Sequence, residues 1–316
     1  MEQRQSNTKI AGIDVGKLCL DVAVHGLEDM TRVENGPTGI AELIGWLRAR
    51  EVGRVGLEAS GGYERKARAA LEKAGFEVVL HQPLEVRLFA RLKRRRAKND
   101  ELDAQLIAAA TAQVDVVRAA PDPELTELAD HLTAYELVTD KAAELKTSLE
   151  RAPKDVAATV RTALRALERA KAKLLEQVIA RIKARPDLLA RFRLLLSLPG
   201  IGPVVAATLV VRMPELGSMS RGQAAALIGV APFDRDSGQW RGQRFIQGGR
   251  ARPRRMLYLA ALAARRCSPT LKAFADTLAA RGKPKKLVIV AVMRKLIEAA
   301  NLVLSRGQPW LKQPAI

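Results

Sequence analysis

Four acidic residues, Asp14, Glu58, Asp100 and Asp103, occupy positions from which carboxylates can act together. Asp14 falls in a short apolar run, Ile10 to Val15, just before Gly16, and Glu58 closes a second run that starts at Arg54. Both read as strand ends. Asp100 and Asp103 stand three apart at the start of a predicted helix, which puts them on one face. Four carboxylates offset the charge of two divalent cations about 3.5 to 4 Å apart, which activate an attacking oxygen and stabilise a leaving one. Hard oxygen ligands and a phosphate substrate suit Mg2+, so two magnesium ions per acidic site are the expected cofactor. Each residue also has a plain structural reading: Asp14 as a turn residue, Glu58 as an exposed strand end, Asp100 and Asp103 as first-turn acids favoured by the helix dipole. Their joint position is what points to a site.

A second constellation is Asp234-Arg235-Asp236-Ser237-Gly238-Gln239-Trp240-Arg241. A serine that attacks a phosphodiester keeps the bond energy in a phosphoserine link, so strand exchange needs no nucleotide cofactor. Arg241, Arg244 and Arg250 offer planar forks for the phosphate. Asp-Ser-Gly is equally a good turn.

The elements that must position these groups come in two kinds. Up to about residue 112, Ile10 to Val15, Leu18 to His25 and Met30 to Asn35 read as three successive strands. Pro37 to Arg50 then reads as a helix, Arg54 to Glu58 as a buried strand, Tyr63 to Ala74 as a helix and Phe76 to His81 as a final strand. This is the element order of a ribonuclease H-like domain. From Pro123 to Arg185, apolar residues recur at threes, fours and sevens on both sides of Pro153, as in a helical hairpin or an intersubunit coiled coil. An ordinary bundle fits the same pattern. Beyond Pro186, Leu194 to Leu198, Pro199-Gly200-Ile201-Gly202 and Val204 to Val211 read as helix, turn, helix. Gly200 and Gly202 could let backbone amides approach a phosphate, as in helix-hairpin-helix modules, or simply make the turn. Ala231 to Arg252 reads as an irregular loop or small hairpin, followed by helices over Pro253 to Arg266, Pro269 to Ala280 and Pro284 to Ser305. The expected fold is α/β plus all-α in three parts: 1–115, a long-helix connector at 123–187, and a helical domain at 188–316.

Composition restricts the partners. The 316 residues carry 53 Lys and Arg against 34 Asp and Glu, a formal charge of +19. The positive charge is clustered: Arg94, Arg95, Arg96 and Lys98 within one run, and Arg241, Arg244, Arg250, Arg252, Arg254 and Arg255 within another. A phosphate backbone, and hence nucleic acid, matches such blocks better than a membrane does. Met1 to Lys9 is polar, and no apolar run approaches the roughly 20 residues of a membrane span. A soluble, cytoplasmic protein is expected. Cys19 and Cys267 support neither a disulfide framework nor a thiolate metal site, and His25, His81 and His131 lack metal-ligand spacing.

Three blocks, Gly12-Ile13-Asp14-Val15-Gly16-Lys17, Gly56-Leu57-Glu58-Ala59-Ser60-Gly61-Gly62-Tyr63-Glu64 and Lys98-Asn99-Asp100-Glu101-Leu102-Asp103-Ala104, resemble those that supply the acidic tetrad of DEDD insertion-sequence transposases, the insertion sequence one-hundred-and-ten family. Ala231-Pro232-Phe233, Ser237-Gly238, Gly248-Gly249-Arg250 and Arg255-Met256-Leu257-Tyr258-Leu259-Ala260 resemble that family's C-terminal serine domain. The resemblance runs over nearly the whole chain in the right order. It implies a RuvC-like domain binding Mg2+ through Asp14, Glu58, Asp100 and Asp103, and covalent linkage of Ser237 to DNA. It further implies a bridge RNA as guide and assembly as a homodimer or homotetramer in which the acidic site of one subunit completes the serine site of another. Asn99 departs from the family's frequent Thr, and either residue caps the helix that follows.

Three other readings fit parts of the sequence. A RuvC-like junction nuclease would hydrolyse DNA with the carboxylates alone and leave free 5′-phosphates. An actin-like ATPase or sugar kinase also carries Gly-x-Asp-x-Gly after its first strand, but needs a second phosphate loop where this chain has a basic loop. A non-catalytic nucleic-acid scaffold would make the tetrad accidental.

Overall fold

The computed structural model describes residues 8–93, 100–115, 117, 122–234, 238, 240–242 and 244–310, with the side chains of 100–102 excepted. The chain divides into two compact units, 1–120 and 121–316.

The first unit is built on a mixed sheet. β1 (Lys9–Val15), β2 (Cys19–Val24) and β3 (Met30–Glu34) form an antiparallel meander, and β4 (Val52–Glu58) and β5 (Glu77–His81) add parallel strands on the other side of β1. The spatial order is β3-β2-β1-β4-β5. Parallel strands need crossovers, supplied by α1 (Pro37–Ala49) between β3 and β4 and by α2 (Glu64–Lys73) between β4 and β5. α3 (Pro83–Leu92) and α4 (Asp100–Thr111) follow.

Alternation along the strands sorts residues to two faces. Ala11, Ile13 and Val15 of β1, Leu20, Val22 and Val24 of β2, and Val55 and Leu57 of β4 share one core with Ile40, Leu43 and Leu47 of α1 and Ala67 and Leu71 of α2. The opposite face of β1, β2 and β4 is covered by α4. Two glycines admit that helix. A Cβ on Gly12 would lie 2.9 Å from Ala108 Cα and closer still to the Ala104 carbonyl oxygen and Ala108 amide nitrogen; on Gly56 it would press on the Thr111 side chain, 3.0 Å from its Cβ. Glycine at both positions brings the α4 backbone down onto the sheet.

Among its described residues the second unit's regular structure is helical apart from one two-residue strand pair. α5 (Pro123–Leu149) and α6 (Lys154–Ala184) pack as an antiparallel hairpin, and α7 (Pro186–Leu196), α8 (Pro203–Arg212), α9 (Arg221–Ile228), α10 (Ala251–Cys267), α11 (Pro269–Ala280) and α12 (Lys285–Arg306) complete it. One core joins the hairpin base, through Leu128, Leu132, Val178 and Ile182, to residues of α7 to α12. The rest of the hairpin exposes most of α6. Among the described residues no helix is long and apolar enough to cross a membrane.

Candidate active site

The parallel register pairs Gly12 with Gly56 and Ile13 with Leu57, so one further residue along sets Asp14 beside Glu58. Across the antiparallel pairs Asp14 faces Asp21, Asp21 faces Arg32, and on the far side Glu58 pairs with His81. Residues at paired positions point to one face. A single row therefore crosses all five strands as Arg32, Asp21, Asp14, Glu58, His81, on the side covered by α4. Asp103 lies on α4, half-buried, next to Ala104, whose carbonyl sits over Gly12. Asp14 is two residues along β1 from the same Gly12. Asp100 opens α4; its side chain lies outside the described ones.

The ends of this row are held by partners that the sequence did not single out. Asp21 is buried and accepts two hydrogen bonds from the Arg32 guanidinium, Nε to Oδ1 at 2.7 Å and Nη2 to Oδ2 at 3.0 Å. Its charge is thus matched by a planar fork and not left to repel Asp14. His81 is buried at the other end. Thr111 Oγ1 donates to the Ile107 carbonyl at 2.7 Å, so it accepts from His81 Nε2, 2.8 Å away, which fixes the proton on that nitrogen. Burial pushes the His81 pKa down, against an opposing pull from Glu85.

The loop after Glu58 has its own organiser. Glu64 is buried, and its Oε2 accepts from the Ser60 amide and hydroxyl, both at 3.1 Å, and from the Gly62 amide at 2.8 Å. Burial alone would raise this carboxyl's pKa, but the hydrogen bonds together outweigh it and hold the group below its ordinary value. The loop can fold back because Gly61 and Gly62 take φ of 75° and 115°. Asn35 Nδ2 donates to the Gly16 carbonyl at 2.9 Å and the Tyr63 carbonyl at 3.2 Å, tying the β1–β2 turn to this loop. Periodicity gives no signal for Asn35, Arg32 or His81; Glu64 lay in the recognised block without a role.

The donor set is all oxygen, with Asp14 and Glu58 on adjacent strand ends and Asp103 on the helix above. Such donors fit a hard divalent cation such as Mg2+. Among the described residues no three His, Cys, Asp or Glu side chains gather closely enough to hold an ion.

In the second unit Ser237 lies outside the described residues, as do Arg94, Arg95, Arg96 and Lys98 of the first. The stem of the serine loop is described. Pro232–Phe233 (β6) pairs antiparallel with Phe245–Ile246 (β7). Below it Gly249, at φ 72°, packs against the Gly229 backbone so closely that no Cβ fits. Arg241 is exposed, and Arg244 pairs with Asp234 at 2.6 Å. The remaining arginines of this concentration have internal partners. Arg250 donates to Glu215 and to the Arg212 carbonyl, Arg252 to Glu136, Arg254 to the Gly229 and Gly248 carbonyls, and Arg255 to Asp140. Gly200, at φ 78°, is covered by α10, with Ala264 Cα 2.8 Å from where its Cβ would stand. Close helix packing accounts for that glycine. Gly202 caps α8, and the space beside it is open.

Parts of both units are similar to known proteins. A DEDD transposase profile of the IS110 type matches residues 11–157, and a profile described as Transposase IS116/IS110/IS902 family matches residues 192–276. Proteins named "Pilin gene-inverting protein" from Moraxella lacunata and Moraxella bovis are each 26% identical over 314 residues, spanning 96% of this chain and 97% of theirs. Two Thermus thermophilus RuvC structures, one in complex with a Holliday junction substrate, are 18% identical and cover 33% of this chain and 93% of RuvC. Their TM-score of 0.28 adds nothing to the topology described above. With one transposase profile running from β1 through α5 to the start of α6 and a second, farther along the chain, from α7 to α11, the chain belongs to the IS110 family of DEDD insertion-sequence transposases.

Proposed function

We propose that this transposase cuts and rejoins DNA with two sites, a RuvC-like, ribonuclease H-like domain holding Mg2+ on Asp14, Glu58, Asp100 and Asp103, and a helical domain in which Ser237 takes the cut strand covalently. The observation that carries the first half is the register that sets Asp14 beside Glu58 on the face where α4 brings Asp103. When bound there, magnesium stabilises charge on the phosphoryl oxygens and lowers the pKa of an attacking hydroxyl. The chain's own residues hold the geometry: Arg32 occupies Asp21, Glu64 fixes the loop after Glu58, and the two glycines seat α4.

In the second half, attack of Ser237 Oγ on the scissile phosphodiester forms an Oγ–P ester while one sugar oxygen leaves. The serine loses its proton and the leaving oxygen gains one, so one ester replaces another and the step is close to balanced in energy. The β6–β7 stem and the Gly229–Gly249 contact hold the loop that carries this serine. The Moraxella relatives' name extends the same exchange to inversion of a DNA segment, the outcome when the two exchanged sites are opposed in direction. By family kinship, a bridge RNA guides the enzyme, and α5 and α6 join subunits into a dimer or tetramer in the cytoplasm. On this reading 1–115, 123–187 and 188–316 act as carboxylate domain, dimerising connector and serine domain.

The test uses the full-length protein with duplexes bearing its element's ends, with and without candidate guide RNA, run on a denaturing gel. A covalent protein–DNA band that needs Mg2+ is expected, lost in Ser237→Ala with binding retained, and lost with all cleavage in Asp14→Asn. Wild-type adduct from Ser237→Ala removes the serine, and Mg2+-dependent cleavage with free 5′-phosphates and no adduct replaces this reading with hydrolysis by the carboxylates alone.

A further inference from the structure

The cations that clustering in the sequence emphasised are largely spoken for: Arg250, Arg252, Arg254 and Arg255 all bond within their own unit. A different set is not. Arg161, Arg165, Arg169 and Lys173 lie at i, i+4, i+8 and i+12 on α6, and all four are exposed. None has an ion-pair partner among the described residues, whereas Lys171 and Arg181 of the same helix are bound to Glu168 and Glu127. The α6 positions three and four residues from each member hold only two acids, Glu168 and Glu176, and the former is taken by Lys171.

Such a row is unfavourable for the protein alone. Like charges four apart on a helix repel, and this row makes three such pairs in succession. The side of α6 that packs on α5 is lined by Ala157, Val160, Leu164, Leu167 and Leu174, so the cations project away from the hairpin seam. Four-residue steps on an α-helix rise about 6 Å and turn about 40° beyond a full revolution, so the row spans about 18 Å and curves gently around the helix. Duplex DNA carries one phosphate per roughly 3.4 Å of axis on each strand, and successive phosphates lie farther apart along the winding strand itself, so a backbone laid beside the row offers about one phosphate to each cation.

We propose that the Arg161–Arg165–Arg169–Lys173 row is a docking surface for one phosphate backbone of duplex DNA, which lies along α6. This rests on the reading that the protein binds DNA, but not on the serine or carboxylate chemistry. Arg forks and a Lys point charge contact the phosphates without reading sequence, so the surface positions DNA and leaves its choice to other parts.

The experiment measures equilibrium affinity of the full-length protein for a fixed DNA duplex as a function of salt, for wild type and for a variant carrying Arg161→Gln, Arg165→Gln, Arg169→Gln and Lys173→Gln. Each lost phosphate contact lowers the slope of log affinity against log salt by about 0.9, so a decrease of roughly 3 to 4 is expected. Glutamine is a good helix former and the positions are exposed, so the melting temperature should hold or rise. A matching all-lysine variant should keep the wild-type slope. An unchanged slope in the glutamine variant overturns the proposal, and so does a drop seen only with an RNA hairpin of equal length. Asp14→Asn, run in parallel, separates the two readings: it should keep the full slope while losing cleavage, so failure of the catalytic reading leaves the docking result standing.

Discussion

Replacing Gly12 with alanine tests whether the sheet positions α4 and thereby Asp103. The new Cβ would sit 2.9 Å from Ala108 Cα, with the Ala104 carbonyl oxygen and Ala108 nitrogen nearer still. All three are backbone atoms, so no side chain can swing aside. Carbon pairs settle at roughly 3.5–4.0 Å, so the helix must lift by at least about 0.6 Å. Overpacking of this kind costs about 1–3 kcal/mol of stability. The effect on chemistry is larger in proportion, since misplacement on the order of 1 Å costs about 10²-fold in rate. Single-turnover, Mg2+-dependent strand cleavage should therefore fall by roughly 10- to 100-fold at a temperature where circular dichroism shows the variant still folded. Gly45→Ala is the control, because nothing lies within 4 Å of the added methyl and α1 gains a better helix former. A folded Gly12→Ala protein that cleaves at the wild-type rate would refute the assignment of α4 as the element that sets Asp103 against Asp14.

Two further outcomes follow from the partners of the row. Arg32→Met leaves Asp21 unmatched directly opposite Asp14. The melting temperature without metal should drop, added Mn2+ should restore part of it, and Asp21→Asn in the same chain should remove the metal dependence of the difference; a melting curve indifferent to Mn2+ in Arg32→Met would end that account. The Glu64 pKa is depressed in the fold, so its contribution is fully present above the unfolded value and is lost as pH falls through the folded one. Hydrogen exchange at the Ser60 and Gly62 amides should accelerate, beyond the intrinsic rate change, on acidification below the ordinary glutamate range. In Glu64→Gln that acid-dependent step should vanish, and its persistence would assign the loop's stability to other groups.

The sheet was legible largely because β1 sends alternate side chains to opposite faces. Ala11, Ile13 and Val15 bury on one side, and Gly12 and Asp14 are left for the other, so element order and strand ends follow from apolar spacing alone. α9 gives little signal in the sequence because it is an eight-residue helix with little apolar contrast between its faces, capped by Ser220 and Gln223. α3 follows β5 directly, and no apolar period in the sequence marks it off from the segment before α4. The acidic pair could be placed from sequence because both members end strands. Asp21, Arg32 and His81 could not, since their relation to Asp14 and Glu58 exists only through cross-strand register, which no local pattern encodes.

Charge shows the same limit from the other side. Clustering along the chain singled out arginines at the start of α10, yet Arg252 and Arg255 reach Glu136 and Asp140, which are more than a hundred residues away in sequence. Those pairs tie α10, the helix that leaves the serine loop, to α5 at the base of the hairpin. Removing the arginine from the Arg252–Glu136 pair would leave a buried carboxylate to Arg212 alone, 3.4 Å away, a larger loss than removing an exposed charge. Cations engaged in this way are structural first, and any phosphate that approaches them competes with a carboxylate already in place. Among the described residues the α6 row has no such competitor bound to it, and its spacing of four residues is invisible to a count of local charge density because three uncharged or mixed positions separate each member. Density along the chain therefore marks where cations are numerous, whereas freedom to bind an outside anion depends on which acids the fold brings to meet them.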